Sequence, residues 1–98
     1  MAVTPALLYR GAAATSSTTL KTTTTTTIVT DIIITNTNAA SQTATISFDG
    51  LVVVPAVTVL ANSVTNFQFK SVLAASKVIA GFASSTDVKF HISGVEVS

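Results

Sequence analysis

Apolar residues along this chain recur at a spacing of two far more often than at the helical spacing, and the alternating runs are short and broken by turn-forming residues. Nearly every residue of 21–35 is β-branched, beginning with the six threonines at 22–27. Such side chains restrict χ1 and suit a pleated surface better than a helix, so this run predicts a strand. Within it Ile28, Ile32 and Ile34 share one parity while Val29 and Ile33 share the other. A strand apolar on both sides over part of its length belongs in the middle of a sheet.

Residues 36–41 form a turn signal, because Asn36 and Asn38 tolerate left-handed backbone and bond their own main chain. Residues 43–49 then alternate cleanly, with Ala44, Ile46 and Phe48 inward and Thr45, Ser47 and Asp49 outward. The dipeptide Asp49-Gly50 supplies positive φ at two successive positions and predicts a tight type I′ hairpin. The strand returning over 51–54 meets Pro55, which lacks a ladder donor and marks a strand end or a sheet edge. Extended structure resumes over 57–60, turns at 61–63, and continues over 64–70 with Phe67 and Phe69 on one core-facing side. Residues 71–77 have helical composition but length for no more than a turn or two. The last strands are expected over 78–83 and 87–98, with a β-bulge at Gly94 to bring Val95 and Val97 onto the face of Val88, Phe90 and Ile92.

Several short strands punctuated by turns predict an all-β fold, a single antiparallel β-sandwich of seven or eight strands with an extended N-terminal arm. Immunoglobulin-like and jelly-roll topologies both satisfy the pattern. The expected core is Ile32, Ile34, Ile46, Phe48, Phe67, Phe69, Phe82, Phe90 and Ile92. The expected division is an arm and connection over 1–17 and the sandwich over 18–98. Large apolar side chains near the N-terminus are followed by only small ones at 11–17, a link that could reach over ~23–25 Å. Leu7, Leu8 and Tyr9 are poorly suited to bulk water, so they are the candidate subunit contact, docking on their own domain or on a neighbouring copy.

Composition sharpens this picture. Charged residues make up 9% of the 98-residue chain, against about 25% in an ordinary soluble domain. Thr, Ser and Ala replace them, and a surface so neutral points to one covered by partners. The net charge of +1 comes from scattered single charges, which leaves no basic stripe for nucleic acid. No apolar run approaches the ~20 residues of a membrane-spanning helix, and residues 1–10 lack the order of a secretory signal. The expectation is a protein made in a cytoplasm and used in an assembly.

Chemistry is sparse. Asp87, Lys89, His91 and Ser93 share one face of the last strand, but Cα atoms two apart on a strand are ~6.6–6.8 Å apart, too far for a catalytic relay along that row. His91 is therefore expected on a solvated face. One histidine, no cysteine and four separated carboxylates do not compose a metal set, and four isolated glycines do not compose a phosphate cradle. No cofactor is implied. A glycan-binding module is the rival class, although with no Trp and one Tyr the chain is poor in aromatic platforms.

Three segments together carry a resemblance: Ile28 through Thr37, the Phe48-Asp49-Gly50 turn, and the ending from Phe90 to Val97. They resemble the small β-sandwich virion structural proteins of tailed bacteriophages, over residues 18–98. The resemblance implies a non-enzymatic virion component, foremost a capsid decoration protein that binds the outer capsid surface as a homo-oligomer, with the major capsid protein or another virion protein as partner. A tail-associated module that binds host receptor or glycan is the other implied role. Neither nucleic acid nor membrane is an expected partner.

Overall fold

The computed structural model describes residues 3–97. Eight antiparallel strands form two four-stranded sheets: β1 (Val3–Ala12), β2 (Thr18–Thr22), β3 (Thr26–Asn36), β4 (Gln42–Phe48), β5 (Leu51–Val59), β6 (Ser63–Leu73), β7 (Val78–Ala83) and β8 (Val88–Val97). One sheet has the order β1-β8-β3-β6 and the other β2-β7-β4-β5. Within the sheets β1 pairs β8, β2 pairs β7, β3 pairs β6 and β4 pairs β5. The first half of the chain thus lies against the second in reverse order, as in a long hairpin of strands rolled into two layers. That is the jelly-roll arrangement, one of the two topologies left open by the alternation pattern.

The core lies between the sheets. Ile32, Ile34, Ile46, Phe90 and Ile92 are fully buried and Phe48 nearly so, as their alternation requires. Phe67 and Phe69 are half-buried and pack on the core from the edge strand β6, where Phe69 meets Phe48 edge-on at 5.8 Å. Phe82 departs from expectation, with 36% of its surface exposed. In β7 the inward positions are Ile79, Gly81 and Ala83, so Phe82 falls on the outer parity. Gly81 occupies the place a large residue would need: a Cβ there would lie 3.0 Å from the Thr45 carbonyl oxygen and 3.2 Å from Leu20.

Other expectations are redrawn. The threonine run is not one strand: it ends β2, crosses between sheets and opens β3. The crossing is fixed by Thr23, which is buried; its hydroxyl donates to the Ala74 carbonyl at 2.6 Å and accepts from the Lys77 N–H at 2.9 Å. The 71–77 stretch is not helical. Its first three residues complete β6, and the chain then turns through Ser76 at φ 65°. Of the two readings of Pro55 the sheet edge holds: β5 is an edge strand that continues through the proline and kinks there, with Ala56 at φ 43° and two register shifts against β4. Asp49 and Gly50 form the expected hairpin turn, at φ 51° and 80°.

The parity change near Gly94 occurs in the neighbouring strands. β8 keeps a regular alternation, with Gly94 inward and Val95 and Val97 on the outer face. The extra residues are Thr30 in β3, between the pairs Val29↔Gly94 and Asp31↔Ser93, and Leu8 in β1, between Leu7↔Ser93 and Tyr9↔Ile92. β3 therefore faces inward through Thr27 and Val29 before the shift and through Ile32, Ile34 and Asn36 after it. Gly94 permits this, since a Cβ built there would run into the Ile28 carbonyl oxygen.

Two measurements check this arrangement. In chemical denaturation Phe90→Ala should lose about 3–5 kcal/mol, whereas Phe82→Ala should lose about 1 kcal/mol or less. Gly94→Ala should destabilise the fold severely, because the obstacle is backbone on a central strand; a variant that melts with the parent would show that the close approach of β3 and β8 is not required.

Candidate functional site: an outer sheet face

The residues first singled out as a contact are parted by the β1 bulge. Leu8 is 5% exposed and joins the core, and Tyr9 packs against that core while its hydroxyl donates to the Ala12 carbonyl at 2.9 Å. Leu7 points the other way and is 53% exposed. The segment expected to dock as an arm lies on its own domain, from Val3 to Ala12 an edge strand paired with β8 over nearly its whole length. The reason is local: an added residue at Leu8 turns two successive large side chains inward, and their burial holds the strand on the sheet. β1, from the expected arm, and β8, from the expected sandwich, share one sheet. Met1 and Ala2 lie outside the described residues.

Leu7 belongs instead to a surface that four strands build together. Across the outer face of the β1-β8-β3-β6 sheet the register aligns Pro5, Val95, Ile28 and Val72 in one row. The next row is Leu7, Ser93, Asp31 and Gln68, and the one after it Arg10, His91, Ile33 and Asn66. Val3 and Val97 pair beyond the first row and extend its apolar character. The face is therefore apolar toward one end and polar toward the other. Neighbouring strands lie about 4.8 Å apart, so the apolar row spans roughly 14 Å. Val72 within it and Val3 just beyond it are each 64% exposed.

His91 lies on the polar part, exposed, between Arg10 and Ile33 in register. The charged residues expected beside it are engaged elsewhere: Asp87, in the turn before β8, accepts from Asn38 Nδ2 at 2.9 Å, and Lys89 Nζ donates to the Thr86 carbonyl at 2.9 Å. Among the described residues there is no pocket and no group of three His, Asp or Glu side chains placed to hold a metal. What this face offers is contact area, with a shape set by backbone register.

Sequence reasoning missed Ile28, Val72, Val95 and Pro5 as members of one row. For Val95 and Val97 the signal was present, because their parity is opposite to that of Phe90 and Ile92 and an unbroken alternation places them outward. For Val72 the sign was its even spacing from Val64, which the helical reading of 71–77 obscured.

Comparison with protein-family models, curated proteins and solved structures finds no match to this chain.

His91→Ala should leave stability within about 0.5 kcal/mol, as for other exposed positions, read by thermal and chemical denaturation. Deleting residues 1–10 should instead destabilise the domain, because it removes Leu8 from the core and uncovers the β8 ladder; unchanged unfolding of the truncated chain would show that β1 contributes nothing to the sandwich.

Proposed function

We propose that this chain is a non-enzymatic structural protein of a tailed-phage virion, a capsid decoration protein that binds the outer capsid surface and works as an oligomer. The observation that carries the assembly part is the apolar end of the four-stranded outer face, where Val3 and Val72 stand more than half exposed beside Pro5, Ile28 and Val95, with Leu7, also more than half exposed, in the row that borders them. Clustered apolar surface on a domain with so few charges is suited to lasting cover by another protein. The virion part rests on the sequence resemblance. The jelly roll adds only an analogy, since viral capsid domains and lectins both use it, and a fold does not determine a function.

A tail-associated receptor- or glycan-binding module is the second reading. One observation favours it: Phe82 stands on the outer face of the β2-β7-β4-β5 sheet, opposite Thr45 in register. A single ring flanked by hydroxyls is a small platform beside the apolar row of the other sheet, so the decoration role is preferred.

The test is to offer purified protein to particles assembled without it and measure bound copies by co-sedimentation. A decoration protein saturates at hundreds of copies per particle, and Leu7→Asp together with Val72→Asp should weaken attachment at least tenfold. Saturation at a few copies, or glycan binding lost in Phe82→Ala, would favour the tail module. No attachment to any part of the particle would sink the virion reading.

A further inference from the structure

β6 reads Ser-Val-Thr-Asn-Phe-Gln-Phe-Lys-Ser-Val-Leu from Ser63 to Leu73, and about Gln68 it is nearly a palindrome. Phe67 mirrors Phe69, Asn66 mirrors Lys70, Thr65 mirrors Ser71 and Val64 mirrors Val72. Two antiparallel strands related by a two-fold axis place each residue opposite its mirror position, so a strand with this property meets a chemically matched residue at each step. We propose that β6 is a self-pairing edge: two copies of the chain join antiparallel along β6 about an axis through Gln68, making one eight-stranded sheet from two. This rests on the assembly reading above and deepens it by naming the contact between copies.

β6 is the edge best able to pair. A sheet edge left flat, long and weakly charged invites another strand, and natural edges are blunted by proline, bulges or shortness. β1 carries Pro5 and the bulge at Leu8. β2 is five residues long and has its own register shift. β5 carries Pro55, the positive φ of Ala56 and two shifts. β6 runs for 11 residues without proline; its one register shift sets Phe69 and Lys70 against Thr30 of β3 alone, but its side chains still alternate regularly between the two faces along the whole strand.

The side chains fit on both faces. Outward, the register sets Val64 against Val72 of the second copy at both ends, and these residues are 61% and 64% exposed in the single chain. Lys70, the only charged residue of the strand, meets Asn66 of the second copy, so two like charges never stand directly opposed. Inward, Phe67 meets Phe69 of the second copy, and the pair occurs twice. Within one chain those rings are only half-buried, with centroids 6.3 Å apart. Four rings across the axis would cover aromatic surface that each chain alone leaves half-buried.

Sedimentation of the full chain should show a species of twice 10.0 kDa that dissociates on dilution. Asn66→Lys places like charges opposite each other at two points and should weaken the dimer about tenfold, whereas Asn66→Glu, facing Lys70, should keep or tighten it. The chain has no cysteine, so Gln68→Cys provides a second, independent readout. Directly opposed residues have Cα atoms about 4.5–5.5 Å apart, within disulfide range, and mild oxidation should give a covalent dimer. In Asn66→Cys the two thiols would lie roughly 13 Å apart along the strands and should not join. All these positions are exposed, so unchanged melting of each variant under reducing conditions confirms that folding is intact. A monomer at every concentration, or an oligomer indifferent to Asn66→Lys, or cross-linking at 66 as efficient as at 68, would each overturn the β6 edge. Particle attachment measured in parallel separates that failure from failure of the assembly reading: retained attachment with an indifferent β6 sinks this contact alone.

Discussion

The close passage of β3 over Gly94 sets the register on which the rest of the four-stranded sheet depends. The Ile28 carbonyl occupies space that any side chain at residue 94 would claim, and β3 takes up the resulting mismatch by carrying Thr30 as an extra residue against β8. Because side chains alternate with a period of two, one extra residue exchanges the faces of everything beyond it. β3 can therefore bury Val29 at one end of the core and Ile32 and Ile34 at the other, while Ile28 and Ile33 are left to the outer surface. The same shift recurs in β1, where Leu8 and Tyr9 both reach the core and Leu7 is released outward. Core and candidate surface thus share one cause. Without the shift, the apolar row formed by Pro5, Val95, Ile28 and Val72 would not align.

Where the chain passes between the two sheets, buried polar side chains hold it. Asn36, at the end of β3, is buried; its Nδ2 donates to the carbonyls of Ala40 and Val59 at 3.0 Å each, and its Oδ1 accepts from the Asn38 N–H at 2.9 Å. Thr23 performs the matching task after β2. Each satisfies main-chain groups that a crossing segment would otherwise leave without partners, a loss worth about 1–3 kcal/mol per buried group. This division of labour explains how a domain with so few charges stays specific: small hydroxyl and amide groups fix the crossings, and register fixes the faces. The threonines exposed elsewhere keep the surface wettable without charge.

The sequence by itself determined the class of fold, the Asp49-Gly50 hairpin, the central place of the isoleucine-rich strand and most of the core, because alternation and positive φ are local properties that a residue carries wherever it goes. Ile32, Ile34, Ile46, Phe48, Phe90 and Ile92 were legible on that ground, and so was the outward position of His91. Tertiary structure decided what depends on a neighbouring strand. Phe82 faces out because Gly81 must make room for Thr45 and Leu20; the N-terminal segment is a strand because β8 offers it a ladder; and the parity shift is carried by Thr30, where β3 passes close to Gly94, and by Leu8 in β1. The pairing that separates a jelly roll from other sandwiches, β1 with β8 through β4 with β5, joins residues far apart in the chain. Alternation within a strand carries no information about which strand lies beside it, and only packing the two sheets against each other selects the partner.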